Sequence, residues 1–278
     1  MKKKIRRVMM CILLAVFVVS TALVLRQWKD NANGETAYKD AMSIAMQTPK
    51  TEQPDETQPL STAPADEAGE PVAVWVPVPV EDDPVMEEMA LINLAALQEV
   101  NPDVLGWIRI PDTKIDYPLL QGEDNDFYLQ HTWEKEPNSV GSIFLEYLNS
   151  ADLTDYNTIV YGHNMGNGSM FAELEYFALE DFWKTHPYVY IVTDTGVYRY
   201  EIFAFCRADV ESLTYGLNPN REDTREKFLN LSLDNSWIDT GIEPKITDRI
   251  LTMSTCSGAD YSNRYVVQAR LPMMEVAE

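Results

Sequence analysis

An uninterrupted apolar run from Val8 to Leu25 follows a basic start made of Lys2, Lys3, Lys4, Arg6 and Arg7. As a helix, that run approaches the roughly 20 residues needed to cross a bilayer. It divides the chain, because a water-soluble domain must fold entirely on one side of it. Positive charge stays on the cytoplasmic face, and the cluster before the run outweighs Arg26 and Lys29 after it. Everything C-terminal is therefore expected outside the cell, with residues 1–29 as a cytoplasmic basic start and single-pass signal anchor in the cell membrane. A cleaved signal peptide opens with the same order of charge and apolarity. This run is longer than a usual signal h-region, and no clean A-x-A site follows it.

The outer part has enough apolar content for a packed core, since the chain is 45% hydrophobic and 10% aromatic over 278 residues. A formal net charge of -22 argues against a nucleic-acid partner, which requires a clustered cationic footprint. Residues 30–83 are rich in Pro, Thr, Glu, Asp and Ala and are expected to form a disordered tether, extended over Pro71–Pro79, where proline fixes φ and removes donors. The folded domain is then residues 84–278.

That domain holds two cysteines, Cys206 and Cys256, since Cys11 lies in the apolar run. No disulfide framework is apparent, although a 206–256 bridge is the alternative for an exported chain. Period-two alternation sets Cys206 on one strand face with Tyr200, Ile202 and Ala204, as a small hydrophobic filler. Cys256 is then an unpaired thiol in an oxidising compartment, which points to a chemical reason for its presence.

Apolar spacing from Met86 to Leu97 predicts one helix opening the domain and ending before Asn101-Pro102. Short β-rich runs follow at Trp107–Ile110, Asp116–Gln121, Ser142–Tyr147, Asn157–Gly162, Tyr188–Thr193, Val197–Arg207, Arg249–Cys256 and Arg264–Leu271. About eight strands imply a mainly β fold, a barrel or sandwich. Inserted helices are expected at Ser169–Trp183, broken near Ala178, and at Arg221–Leu231.

Reactive side chains stand at the ends of these strands. The run Asn157–Tyr161 leads through Gly162 to His163, an imidazole suited to proton transfer near neutral pH, although a lone histidine is also often structural. Cys256 ends one strand and Arg264 begins the next, so the two should be neighbours. A guanidinium there favours a thiolate and donates to developing negative charge. A buried cysteine beside a surface arginine is the alternative from these residues alone.

The blocks Tyr161-Gly162-His163-Asn164 with Gly168-Ser169-Met170-Phe171, Leu251–Cys256, and Arg264-Tyr265-Val266-Val267 resemble the sortases, specifically class B. So do Asn101–Ile108, Ile115–Pro118, Asp124–Leu129 and Gly141–Phe144, and together the likeness spans about Leu91 to Leu271. The resemblance implies a closed, sortase-type β-barrel of about eight strands with an N-terminal helix and inserted helices. It implies a cysteine transpeptidase: Cys256 attacks the carbonyl of a threonine in the sorting signal of a secreted surface protein, and an amine of peptidoglycan or a pilin resolves the thioacyl-enzyme. His163 then serves as acid and base, and Arg264 as oxyanion or peptide partner. Asn125, Leu129 and Ser254 match positions lining the peptide groove, and Tyr215 is a further substrate-binding candidate. Ser257-Gly258 departs from the acidic or bulkier residues of some relatives, which bears on fine specificity. The envelope implied is of the Gram-positive type.

No cofactor is implied, and the three histidines are too scattered for a zinc site. The acidic loop Glu123–Asp126 leaves calcium open, without EF-hand spacing. His131 and His186 read as packing and turn residues. A cysteine hydrolase using water shares the first half-reaction, and a non-catalytic binding module on a stalk is the alternative of another class.

Overall fold

A computed structural model describes residues 2–47, 74–219, 221–256 and 262–276. The strands are β1 (Val74–Pro77), β2 (Val104–Arg109), β3 (Asp116–Leu120), β4 (Ile143–Leu145), β5 (Asn157–Tyr161), β6 (Tyr188–Thr193), β7 (Gly196–Asp209), β8 (Arg249–Cys256), β9 (Asn263–Leu271) and β10 (Met273–Val276). Strands β2 to β9 close a barrel in the order β2-β3-β4-β5-β8-β9-β7-β6, with β6 returning to β2. All eight strands expected from the sequence are in it. The pairs β3/β4 and β5/β8 are parallel, and the remaining pairs are antiparallel.

The barrel is filled by inward-facing apolar residues from many strands, including Ile108, Leu119, Ile143, Val160, Met253 and Val267, all buried in one cluster. Alternation supplies these side chains, because successive residues of a strand point to opposite faces. Gly106 is required where β2 crosses β6: a Cβ there would lie 2.1 Å from the Val192 carbonyl oxygen. Alternation breaks in β7, whose pairing with β9 shifts register between Ile202 and Ala204. Tyr200, Ile202 and Phe205 face the barrel core, whereas Cys206 packs with Ala208 and Val266 elsewhere. Cys206 therefore does not share the face of Tyr200 and Ile202, because the bulge inverts the period-two pattern. It is buried and free, so it forms no bridge to Cys256.

The single opening helix is two, α2 (Pro84–Met89) and α3 (Leu94–Val100) following α1 (Lys2–Ala45). Each short helix has its own cap: Asp83 accepts from the N–H groups of Val85 and Met86, and Asn93 accepts from that of Ala96. The other inserts are a 3-10 segment Ala172–Ala178 leading to α4 (Glu180–Thr185), and α5 (Glu222–Asp234).

The expected tether over residues 30–83 needs correction at both ends. Helix α1 continues unbroken past Lys29, and its final turns pack on the barrel through Ala37, Ala41 and Ala45, all buried. Their spacing of four residues makes one narrow helical stripe. The Trp133 indole N–H donates to the Ala37 carbonyl at 2.9 Å, Asn138 Nδ2 donates to that of Asp30 at 3.0 Å, and the Asn93 N–H donates to that of Ala45 at 2.8 Å. At the other end β1, extended as expected, pairs antiparallel with β10. Tertiary contact overrode a polar composition at the α1 end and a proline-interrupted one at β1. Residues 48–73, the remainder of the expected tether, lie outside the described residues.

A chain starting at Asp30 should therefore melt cooperatively, whereas one starting at Pro84 loses the α1 stripe and β1. Forfeited burial and hydrogen bonds on the order of 4 kcal/mol predict a thermal midpoint lower by about 10 °C. Comparison of the two truncations by calorimetry checks this, and equal midpoints would place the domain boundary at Pro84.

Candidate active site

One cleft of about 640 Å³ opens over the ends of β5, β8 and β9 and is lined by Asn125, Leu129, Glu146, Tyr161, His163, Tyr215, Ser254 and Arg264, among others. The pairing of these strands sets what meets there. In the β5/β8 pair, Tyr161 lies opposite Ser254, and in the β8/β9 pair Cys256 lies opposite Arg264. The β5 chain ends at Tyr161 and continues through buried Gly162 to His163 at the same rim. The backbone of Cys256 closes β8, and its side chain, like Ser257-Gly258, lies outside the described residues.

His163 is half-buried, with Nε2 2.7 Å from the Leu129 carbonyl oxygen. A carbonyl only accepts, so Nε2 carries the hydrogen, and Nδ1 is the nitrogen able to exchange a proton. Leu129 thus serves the site through its backbone as well as its side chain. The loop carrying it is held by Gly141, whose φ of +63° lies in the left-handed region. A Cβ on Gly141 would come within 2.8 Å of the Leu129 and Tyr128 carbonyl oxygens and 2.9 Å of His163 Cδ2. The α1 helix braces the same turn: the Tyr38 hydroxyl donates to the Gly141 carbonyl at 2.5 Å.

Arg264 donates from Nη1 to the Asn263 carbonyl at 3.1 Å and stays partly exposed on the cleft wall. Opposite it, the Tyr215 and Ser254 hydroxyls lie 2.9 Å apart. Tyr215 is held in place by Asn157, whose Nδ2 donates to the carbonyls of Thr214 at 3.1 Å and Gly216 at 2.9 Å. Asn157 Oδ1 in turn accepts from buried Thr252 at 2.7 Å. Six of the seven residues named from sequence therefore line one cleft, and the seventh, Cys256, is placed by its backbone pairing with Arg264.

The cleft also carries a group that gave no signal in the sequence. Glu146, just after β4, is 7% exposed, and its Oε2 accepts from the Tyr161 hydroxyl at 2.8 Å and from Asn125 Nδ2 at 2.6 Å. Burial, followed by the Glu146 charge, pushes the Tyr161 phenol well above its ordinary range, so it stays a protonated donor. A buried carboxylate leaves no periodic signature, and only its place after an apolar β run hinted at burial. Outside the cleft, burial alone pushes the Cys206 thiol up to about 11, which makes it a poor nucleophile. His131 stacks on Phe127 and His186 on Phe182, each also bonded to a backbone carbonyl, in keeping with packing roles.

A family model described as a sortase domain matches residues 108–272. Sortase B of Listeria monocytogenes is 39% identical over 184 residues, covering 64% of this chain and 74% of that protein. Among solved structures, sortase B from B. anthracis in complex with AAEK1 superposes with a TM-score of 0.68 at 27% identity, covering 88% of this chain and 98% of that one. The Staphylococcus aureus sortase B–substrate complex gives 0.61 at 29% identity, covering 66% and 85%. A sortase B complexed with triglycine gives 0.61 at 29%, covering 66% and 86%.

The crowding at Gly141 predicts that Gly141→Ala shifts either the Leu129 carbonyl or the His163 ring. The expected result is a lower thermal midpoint together with a changed imidazole ¹⁵N signal for His163. An unchanged His163 spectrum would mean that Gly141 does not hold this hydrogen bond.

Proposed function

Because the chain belongs to the sortase family, in its class B branch, and is thereby a sortase with cysteine transpeptidase function in surface-protein sorting, we propose its detailed reaction and setting as follows. The substrate is the sorting signal of a secreted surface protein, cut after threonine. Cys256 attacks the threonine carbonyl carbon, and a C–S bond forms as the carbonyl oxygen takes up negative charge. Arg264 donates to that oxyanion. His163 protonates the leaving amine as the C–N bond breaks, and a thioacyl-enzyme remains. An amine of peptidoglycan or a pilin then attacks, His163 takes its proton, and the C–S bond breaks to return the cysteine.

The observation that carries this reading is the register Cys256↔Arg264 at the rim where His163 also stands. The groove residues Asn125, Leu129, Ser254 and Tyr215 then bind the peptide. The apolar helix supports a membrane anchor: its side chains from Val8 to Leu25 form a continuous apolar stretch and are exposed. On this reading the enzyme is single-pass, with its catalytic domain outside the cell.

Incubating the protein with a sorting peptide and excess glycine oligomer should give the ligated product. Free acid alone would favour a hydrolase, since both share the acylation step. Cys256→Ala should form no acyl-enzyme, as mass spectrometry of the intact protein would read directly.

For Arg264→Lys, a single mobile ammonium replaces two directed donors, so turnover should fall about 100- to 1,000-fold with the thermal midpoint preserved. Normal turnover in a less stable protein would remove Arg264 from the reaction.

A further inference from the structure

The cleft carries charge of both signs: His163 and Arg264 line it, and so do Glu146 and Asp126. Its walls are otherwise largely apolar, with Leu129, Phe144, Leu148 and Leu217, so charges there are weakly screened. Glu146 is fixed by its backbone, whose N–H donates to the Ile159 carbonyl at 2.8 Å.

A carboxylate accepts through about four lone-pair sites. Oε2 of Glu146 is engaged by Tyr161 and Asn125, but Oε1 accepts only from the Leu148 N–H at a long 3.5 Å. Both close donors are neutral. Among the described residues no lysine, arginine or histidine forms an ion pair with Glu146. Burying a carboxylate without a counter-charge is costly, and supplying a cation to it recovers much of that cost.

We propose that Glu146 is a specificity-determining residue which takes a cationic side chain, lysine or arginine, of the peptide substrate upstream of the scissile bond. This rests on the reading of the cleft as a peptide groove. The register argues for a side chain of the peptide and against the incoming amine. Glu146 bonds at the level of Ile159, which pairs with Thr252, and Thr252 precedes Cys256 by four residues of one strand. At about 3.3 Å per residue, those levels lie about 13 Å apart along the strands, and β5 stands between β4 and β8 across them. The carboxylate reaches back towards Tyr161, leaving a gap that roughly two to four residues of extended peptide span. An amine attacking the thioacyl carbon is too far away to use it. A neutral amide side chain adds another neutral donor and leaves the charge uncompensated, so the cation is preferred.

The test uses peptides with a fixed scissile threonine and lysine, arginine, glutamine, glutamate or the uncharged isostere norleucine at each of the four preceding positions. Wild-type enzyme should favour lysine over norleucine at least 10-fold in kcat/KM at one position, and the Glu146→Gln variant should lose most of that preference, chiefly through KM. Binding of the same peptides to Cys256→Ala, with and without Glu146→Gln, reads the contact without turnover. Glu146-dependent binding without any cleavage by the wild type would overturn the transpeptidase reading and keep this one. The absence of any cationic preference in wild-type binding and turnover overturns the proposal even if Glu146→Gln fails to fold. So does a Glu146→Gln protein of normal thermal midpoint that retains the preference, or one whose only change is in KM for the glycine oligomer.

Discussion

The register of three adjoining strands is the constraint on which the site depends. Strand β8 is held on one side by parallel β5 and on the other by antiparallel β9, with Tyr161↔Ser254 and Cys256↔Arg264 fixed together. A slip of one residue in either ladder would turn alternate side chains into the wrong face. Closure of the barrel prevents such a slip, because every strand from β2 to β9 has two neighbours. Buried polar bonds add direction to this arrangement. Gln268 on β9 donates to the Thr252 hydroxyl on β8 at 3.2 Å, and Thr252 donates to Asn157 on β5. That line ties the three strands at one level below the rim. Buried polar groups of this kind are costly unless paired, so their pairing selects one register.

The histidine is positioned by a different set of contacts. Its ring leans on the carbonyl of Leu129, which ends the 3-10 turn Phe127–Leu129, and the Ser142 N–H donates back to the Tyr128 carbonyl of the same turn. Ser142 donates to the His131 carbonyl at 2.8 Å and lies 3.0 Å from the Tyr38 hydroxyl. Helix α1 therefore reaches to within a few bonds of the imidazole. Burial raises the Tyr38 phenol above its ordinary range and keeps it a donor at every physiological pH. The same helix carries the apolar run, so on the proposed membrane reading the anchor and the support of the histidine loop belong to one continuous helix. At 1.5 Å per residue α1 is about 66 Å long, more than twice the roughly 30 Å hydrocarbon layer.

The barrel strands were legible because alternation and β-branched runs such as Asn157–Tyr161 and Arg249–Cys256 are local signals. So were the residues at their ends, since His163, Cys256 and Arg264 each follow or open such a run. What was not legible depended on partners distant in sequence. The stripe Ala37, Ala41 and Ala45 has low hydrophobicity among charged neighbours, and only its contact with Trp133 and Leu97 marks it as core. Strand β1 reads as an extended proline segment until β10 supplies its pairing. The bulge in β7 follows from pairing with β9 and not from the composition of Ile202–Ala204, so period-two alternation alone puts Cys206 on the face of Tyr200 and Ile202, where it does not lie.

Glu146 shows the same limit at the site itself. Its neighbours Asn125 and Tyr161 stand in legible motifs, but nothing in the order of residues states that three polar groups converge on one another. Convergence requires β4 to lie against β5, with Phe144 opposite Tyr161, and the 3-10 turn after Asn125 to fold over their ends. Once that happens, an acidic residue that would be solvated on an isolated strand becomes part of an enclosed wall. Its two short bonds to Tyr161 and Asn125 fix the carboxylate instead of neutralising it. The fold thereby sets a fixed acidic group from just beyond β4 in the same cleft as Arg264 and His163. Its largely apolar walls leave that charge weakly screened, which makes charge, as well as shape, a condition on what can sit beside it.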